Sequence, residues 1–168
     1  MLRPLFSISA FFGALCAASA AIAQPQAIAT HKDWSVFVRE ANGEKICFAA
    51  TEAKDKAPKS VRHGDIFFIV ATWQSGAAKN QPSFMAGYDL ADAPTPTIRV
   101  GSDKWNMYTS SNEAFIESAA DEERLVGAMR RGARMRISAV SKRGTATNYQ
   151  ISLSGVSAAL DRVGRECR

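Results

Sequence analysis

The chain reads as a mainly β domain with two short helices, and three observations carry that reading. Short runs alternate apolar and polar side chains and are divided by turn signals such as Asn42-Gly43. Two later stretches, about 121–131 and 155–166, space their apolar residues for one face of a helix instead. A leader of export type precedes them, so the mature part is the size of one domain.

Met1-Leu-Arg-Pro4 is a basic start, Leu5 to Leu15 an apolar core, and Ala21-Ile-Ala23 a small-residue exit. The apolar run is too short and alanine-rich for a membrane span. Residues 1–23 are therefore expected to be removed, with Gln24 as the new terminus, 24–32 as a flexible lead and 33–168 as one domain. The expected location is the periplasm, or the outer envelope or medium beyond it. Cys16 follows Leu15, where a lipidated cysteine follows a small residue, so it is read as part of the leader's apolar core.

Asp33 to Glu40 alternates, with Trp34, Val36 and Val38 on one face, and predicts a strand. Asn42-Gly43 tolerates the positive φ of a hairpin turn, and Glu44 to Thr51 returns. Lys54 to Ser60, with three lysines, predicts a solvated loop. Asp65 to Trp73 is apolar on both faces and predicts a central strand covered on both sides. Gln74 to Pro82 predicts a loop and Ser83 to Leu90 a strand, in which Gly87 marks a bulge or close approach. Ala93-Pro-Thr-Pro96 breaks the chain. Thr97 to Val100, Lys104 to Thr109 and Glu113 to Glu117 are short strands.

Ser118 precedes a helix with Asp121, Glu122 and Glu123 in its first turn, Arg130 and Arg131 in its last, and Gly132 as its stop. Ala133 to Ser141 sends Met135, Ile137 and Ala139 inward and Arg134 and Arg136 outward; Lys142-Arg-Gly144 turns; Thr147 to Leu153 alternates again. Ser154 is the expected cap of the last helix. Val156, Ala159, Leu160, Val163 and Cys167 form one stripe on it.

Without Cys16 the chain keeps an even pair, Cys47 and Cys167. In an oxidising compartment such a pair is expected to be bridged, the alternative being two reduced buried thiols. Net charge is +5, or +4 without Arg3, with acids and bases interspersed. That balance favours anionic surfaces such as phospholipid or lipopolysaccharide and gives no argument for nucleic acid.

Chemistry is sparse. His31 lies in the lead, and His63 sits in Arg62-His-Gly-Asp65. A general base at His63 oriented by Asp65 would make a small hydrolase of envelope material; the competing reading is a loop histidine. The sequence lacks His-Glu-x-x-His, Cys-x-x-Cys and a phosphate-cradling glycine loop, so no cofactor, metal or catalytic residue is assigned. Arg134, Arg136, Lys142 and Arg143 are the candidate anionic-surface contacts, set against a plain reading as helix-end, wet-face and turn charges. Trp34, Trp73 and Trp105 are read as core, with an aromatic glycan face as the alternative.

With these residues in view the chain resembles the invasion-associated locus B (IalB) family of exported alphaproteobacterial proteins. The resemblance rests on Asp33-Trp34, Cys47-Phe-Ala49, Phe67-Phe-Ile69 and Glu122-Glu-Arg-Leu-Val-Gly-Ala-Met-Arg-Arg-Gly132. It continues through Arg143-Gly-Thr145, Ser152-Leu-Ser-Gly155 and Ala158-Ala-Leu160 to Cys167. It implies an immunoglobulin-like β-sandwich in the periplasm or outer envelope, without a catalytic motif. It further implies an association with host-cell entry in pathogenic members. The expected role is that of a non-catalytic interaction protein whose partner is an unidentified envelope or host-surface protein or glycan. Members with a second bridge carry a cysteine near the end of the first strand, where this chain has Phe37-Val-Arg39.

Overall fold

The computed structural model describes Pro25 and residues 27–168; the expected leader lies outside the described residues. The strands are β1 (Ala27–His31), β2 (Trp34–Ala41), β3 (Glu44–Glu52), β4 (Asp55–Ala57), β5 (Phe67–Trp73) and β6 (Gln81–Met85). β7 (Thr97–Val100), β8 (Asp103–Asn106), β9 (Tyr108–Ser110) and β10 (Glu113–Phe115) follow, then helix α1 (Ala119–Arg131), β11 (Arg134–Val140), β12 (Ala146–Ser152) and helix α2 (Val156–Glu166). They form two antiparallel sheets. The larger has the order β1-β2-β3-β5-β6-β10-β9, the smaller β4-β12-β11-β7-β8.

The sheets enclose one core, the sandwich that the alternating runs predict. Trp34, Val36, Cys47, Ala49, Phe68, Val70 and Phe84 face it from the larger sheet. Ile98, Val100, Trp105, Met135, Ile137, Tyr149 and Ile151 face it from the smaller. Each fully buried large side chain contributes about 1.5–3 kcal/mol. Leu125, Val126 and Met129 of α1 and Val156, Ala159, Leu160 and Val163 of α2 add their stripes to the same core. Helix α2 packs along β1, β2, β3 and β5, and α1 reaches both β6 and β7.

The helix ends follow from their residues. Ser118 accepts the Asp121 N–H at 3.1 Å, so α1 begins two residues before the expected 121. At α2 the expected cap, Ser154, gives way to Gly155, which holds φ 95°. A Cβ there would stand 1.9 Å from the His31 carbonyl oxygen, so β1 presses directly on the start of α2. Gly87 meets its close-approach expectation: a Cβ would lie 2.6 Å from the His63 carbonyl oxygen.

Four further expectations change. Residues 27–31, expected within a loose lead, pair with β2 as an edge strand. Within the expected charged loop, Asp55–Ala57 pairs with β12. The single strand expected over 104–109 is divided at Met107, which is buried where the chain leaves β8 in the smaller sheet for β9 in the larger. β5 is central but covered on one face only: Phe68 and Val70 are buried, whereas Phe67, Ile69 and Trp73 remain partly exposed outside.

Candidate functional site

The opening and closing motifs of the domain meet in one corner. The Asp33 carboxylate accepts from Ser152 Oγ at 2.6 Å and pairs with Lys54 Nζ at 2.7 Å. The Trp34 indole N–H donates to the Ser152 carbonyl at 2.9 Å, and Asp33 N–H donates to the Ser154 carbonyl. Hydrogen bonds from Lys54 and Ser152 hold the Asp33 carboxyl below the usual carboxylate range. Next to α2's far end, Cys47 and Cys167 are joined with their Cα atoms 5.8 Å apart. Lys45 Nζ donates to the Glu166 carbonyl at 2.6 Å beside the bridge. These residues are architecture: they lock the final helix to the first strands.

His63 is also built in. It is 8% exposed, and both ring nitrogens are engaged. The Pro58 carbonyl, 2.9 Å from Nε2, can only accept, so Nε2–H donates to it. Nδ1 lies 2.9 Å from the Tyr149 hydroxyl, within hydrogen-bond distance. Tyr149 in turn lies 2.7 Å from Tyr88 OH, and Tyr88 2.7 Å from Thr147 Oγ1. Burial pushes the Tyr149 phenol well up, so it stays a hydroxyl. Asp65 is not among the partners of His63. A general base needs a free nitrogen facing substrate; here the ring borders a groove of about 450 Å³ with Tyr88, Arg143 and Thr147, but both nitrogens are held by protein partners, and the histidine pins the 58–64 loop onto β12.

The cationic residues fall into two places. Arg134 and Arg136 project outward from β11, as their alternation requires. Lys142 and Arg143 sit at the turn beyond β11, near Tyr88 and Ser141. The two groups do not form one patch. Pairing instead brings together residues the sequence leaves far apart: Lys104 lies opposite Arg99, Arg99 opposite Arg136, and Arg136 opposite Gln150. Three cations thus stand in one row across β8, β7 and β11, all exposed. The row continues to Asp55 on β4, whose carboxylate is taken by Lys59, which holds it below the usual range. Like charges directly opposite one another in a sheet are destabilising, and among the described residues no ion pair relieves these three. Thr97, Ser138, Asn148 and Gln150 add hydroxyl and amide groups to the adjoining groove of about 360 Å³. Sequence alternation shows Arg99 outward-facing; only the register shows it beside Arg136.

Trp34 and Trp105 are core, at 0% and 3% exposure, and Arg124 stacks over Trp105 at 4.7 Å. Trp73 lies on the outer face of the larger sheet, away from both, so the three do not form a common face. Among the described residues, no three His, Cys, Asp or Glu side chains gather as a metal site. No described helix is long and apolar enough to cross a membrane.

The sequence matches the family model for the Invasion associated locus B (IalB) protein over residues 34–164. No curated protein sequence matches it. Among solved structures, the crystal structure of invasion associated protein b from Bartonella henselae superposes with a TM-score of 0.59 at 14% sequence identity. The match covers 86% of this chain and 97% of that one, a likeness of fold.

Proposed function

Since this chain belongs to the invasion-associated locus B family, we propose that it is a non-catalytic exported protein of the cell envelope that docks on anionic surfaces through the smaller sheet. The observation that supports the reading is the row Lys104–Arg99–Arg136, three unrelieved cations held in register on one exposed face. An arrangement that costs folding stability is best accounted for by a ligand that gains from it, and anionic phospholipid or lipopolysaccharide supplies the matching charge. Placement in the periplasm or on the outer envelope rests on the leader and the cysteine pair. The link to host-cell entry rests on family membership. The hydrolase reading loses its support with both nitrogens of His63 engaged.

Each basic side chain near an anionic membrane contributes about 1 kcal/mol. Arg99, Lys104, Arg134 and Arg136 together are therefore worth about 4 kcal/mol, roughly a thousandfold in partitioning. The test is sedimentation of the mature chain with vesicles of neutral lipid alone or with added anionic lipid, across a salt series. Binding is expected only to anionic vesicles, falling steeply with salt because screening acts over about 8 Å at physiological strength. Arg99→Ser with Arg136→Ser should lower it roughly thirtyfold. Binding that ignores salt, or that survives these substitutions unchanged, would refute the reading.

A further inference from the structure

The outer face of the larger sheet carries a different chemistry. Phe37, Phe48, Ile69, Trp73, Met85 and Phe115 all point outward there and are all partly exposed. Phe37 stacks on Phe48 with ring centroids 5.1 Å apart, and Phe115 lies tilted against the 48%-exposed Tyr108 at 5.7 Å. Phe48, Ile69, Trp73, Met85 and Phe115 line a groove of about 450 Å³, and Pro25 lies along it. The β5 sequence has the composition of a strand covered on both sides, yet only its inner face is covered.

We infer that this face is a homodimer interface, its occupant a second copy of the chain. Size is the first argument. From β2 to β9 there are five strand spacings, about 24 Å, and from Phe67 to Trp73 about 20 Å along the strand. A footprint on the order of 500 Å² in projection, less where β9 and β10 are shorter than β5, is the size of the largest patch, often a functional one, on a typical monomer. That is below the ~800 Å² per partner of a standard interface and in the range of a weak, reversible one.

Charge is the second argument. Arg39 and Glu113 both line the groove, and among the described residues neither makes an ion pair. Arg39 is in register with Ile46 and Trp73, and Glu113 with Met85 and Phe67. They therefore occupy diagonally opposite corners of the apolar field, one basic and one acidic. A two-fold axis lying in the interface between those corners sets each Arg39 over the partner copy's Glu113. The strands of the two copies then cross near 90°, one of the two ordinary ways sheets pack. The face is self-complementary in the sense an isologous dimer needs. The two basic sheets are left facing away from one another, free for the docking proposed above.

Sedimentation velocity on the chain from Gln24, over a concentration series, tests this. A reversible dimer is expected, and Ile69→Glu should abolish it with the far-ultraviolet spectrum unchanged. Arg39→Glu and Glu113→Arg should each weaken dimerisation about tenfold, since the symmetry repeats each contact. The two reversals together should restore it. A chain that stays monomeric at every concentration overturns the inference and leaves the face to another envelope protein or to the chain's own amino-terminal lead. A dimer that survives Ile69→Glu, or reversals that do not rescue one another, also overturns it.

Discussion

Replacing Cys167 by Ala opens a bridge that spans 120 residues of sequence. In the chain-entropy account a loop of this length contributes about 5 kcal/mol through the unfolded state. A domain's whole stability is about 5–15 kcal/mol, so the loss is a large part of it. At about 3 °C per kcal/mol for a domain of this size, the melting temperature should fall by about 15 °C. Other ties hold the same corner, among them Lys45 to the Glu166 carbonyl and Gln74 to the Arg168 carbonyl, both from the larger sheet to the end of α2. The first is part-buried with a charged donor and the second exposed; they are worth about 1.5–3 and about 1 kcal/mol, so neither alone replaces the bridge. Serine substitutions should separate the two cysteines. Cys47 is fully buried, so a hydroxyl there is left without a partner and costs a further 1–3 kcal/mol or about that. Cys167 is 9% exposed, with its sulfur 3.7 Å from the Lys45 carbonyl, which can receive the new hydroxyl. Cys47→Ser should therefore melt below Cys167→Ser, while the two alanine variants and their double should nearly coincide. Thermal melting by circular dichroism with and without reductant gives all of these values. A shift under about 3 °C, or a double variant losing the sum of the two singles, would refute the reasoning.

Three further outcomes are expected. Arg99→Thr, which removes the middle cation of the row, should raise stability by a few tenths of a kcal/mol to about 1 kcal/mol in urea melts while reducing binding to anionic vesicles. Gly155→Ala should cost more than about 2 kcal/mol, combining a left-handed φ with a Cβ driven into the His31 carbonyl; an unchanged urea midpoint would show that β1 does not press there. Asp33 has a lowered folded pKa, so the stability it supplies is present above its unfolded value of about 3.9 and is lost as pH falls through the folded value. Asp33→Asn should accordingly be less stable than the parent at pH 7, and the gap should close in acid; a gap constant with pH would contradict the assignment.

What the sequence by itself determined is local. Alternation decided which side chains of a strand share a face, so Arg134 and Arg136 point outward while Met135 and Ile137 are buried. Ser118, the charges of α1 and Gly132 set that helix, because unpaired backbone groups at helix ends are satisfied by near neighbours. Asn42-Gly43 specified its turn through positive φ at both residues. The apolar stripe of α2 put Cys167 on the same face as Val163, on the side of the core.

The rest belongs to tertiary structure, because period and propensity say nothing about which strand lies next to which. That Arg99 and Lys104 join Arg136 depends on β7 pairing with β11, and strand pairing is set by long-range packing. The division of 104–109 at Met107 follows from the chain changing sheets. The engagement of His63 arises because folding brings Tyr149 and Pro58 to it from opposite sides. The outer face of β5 shows the limit most plainly. Its residues are apolar enough to be buried on both sides, and only the arrangement of the two sheets decides that one side stays open, because the smaller sheet and α2 cover the inner face alone.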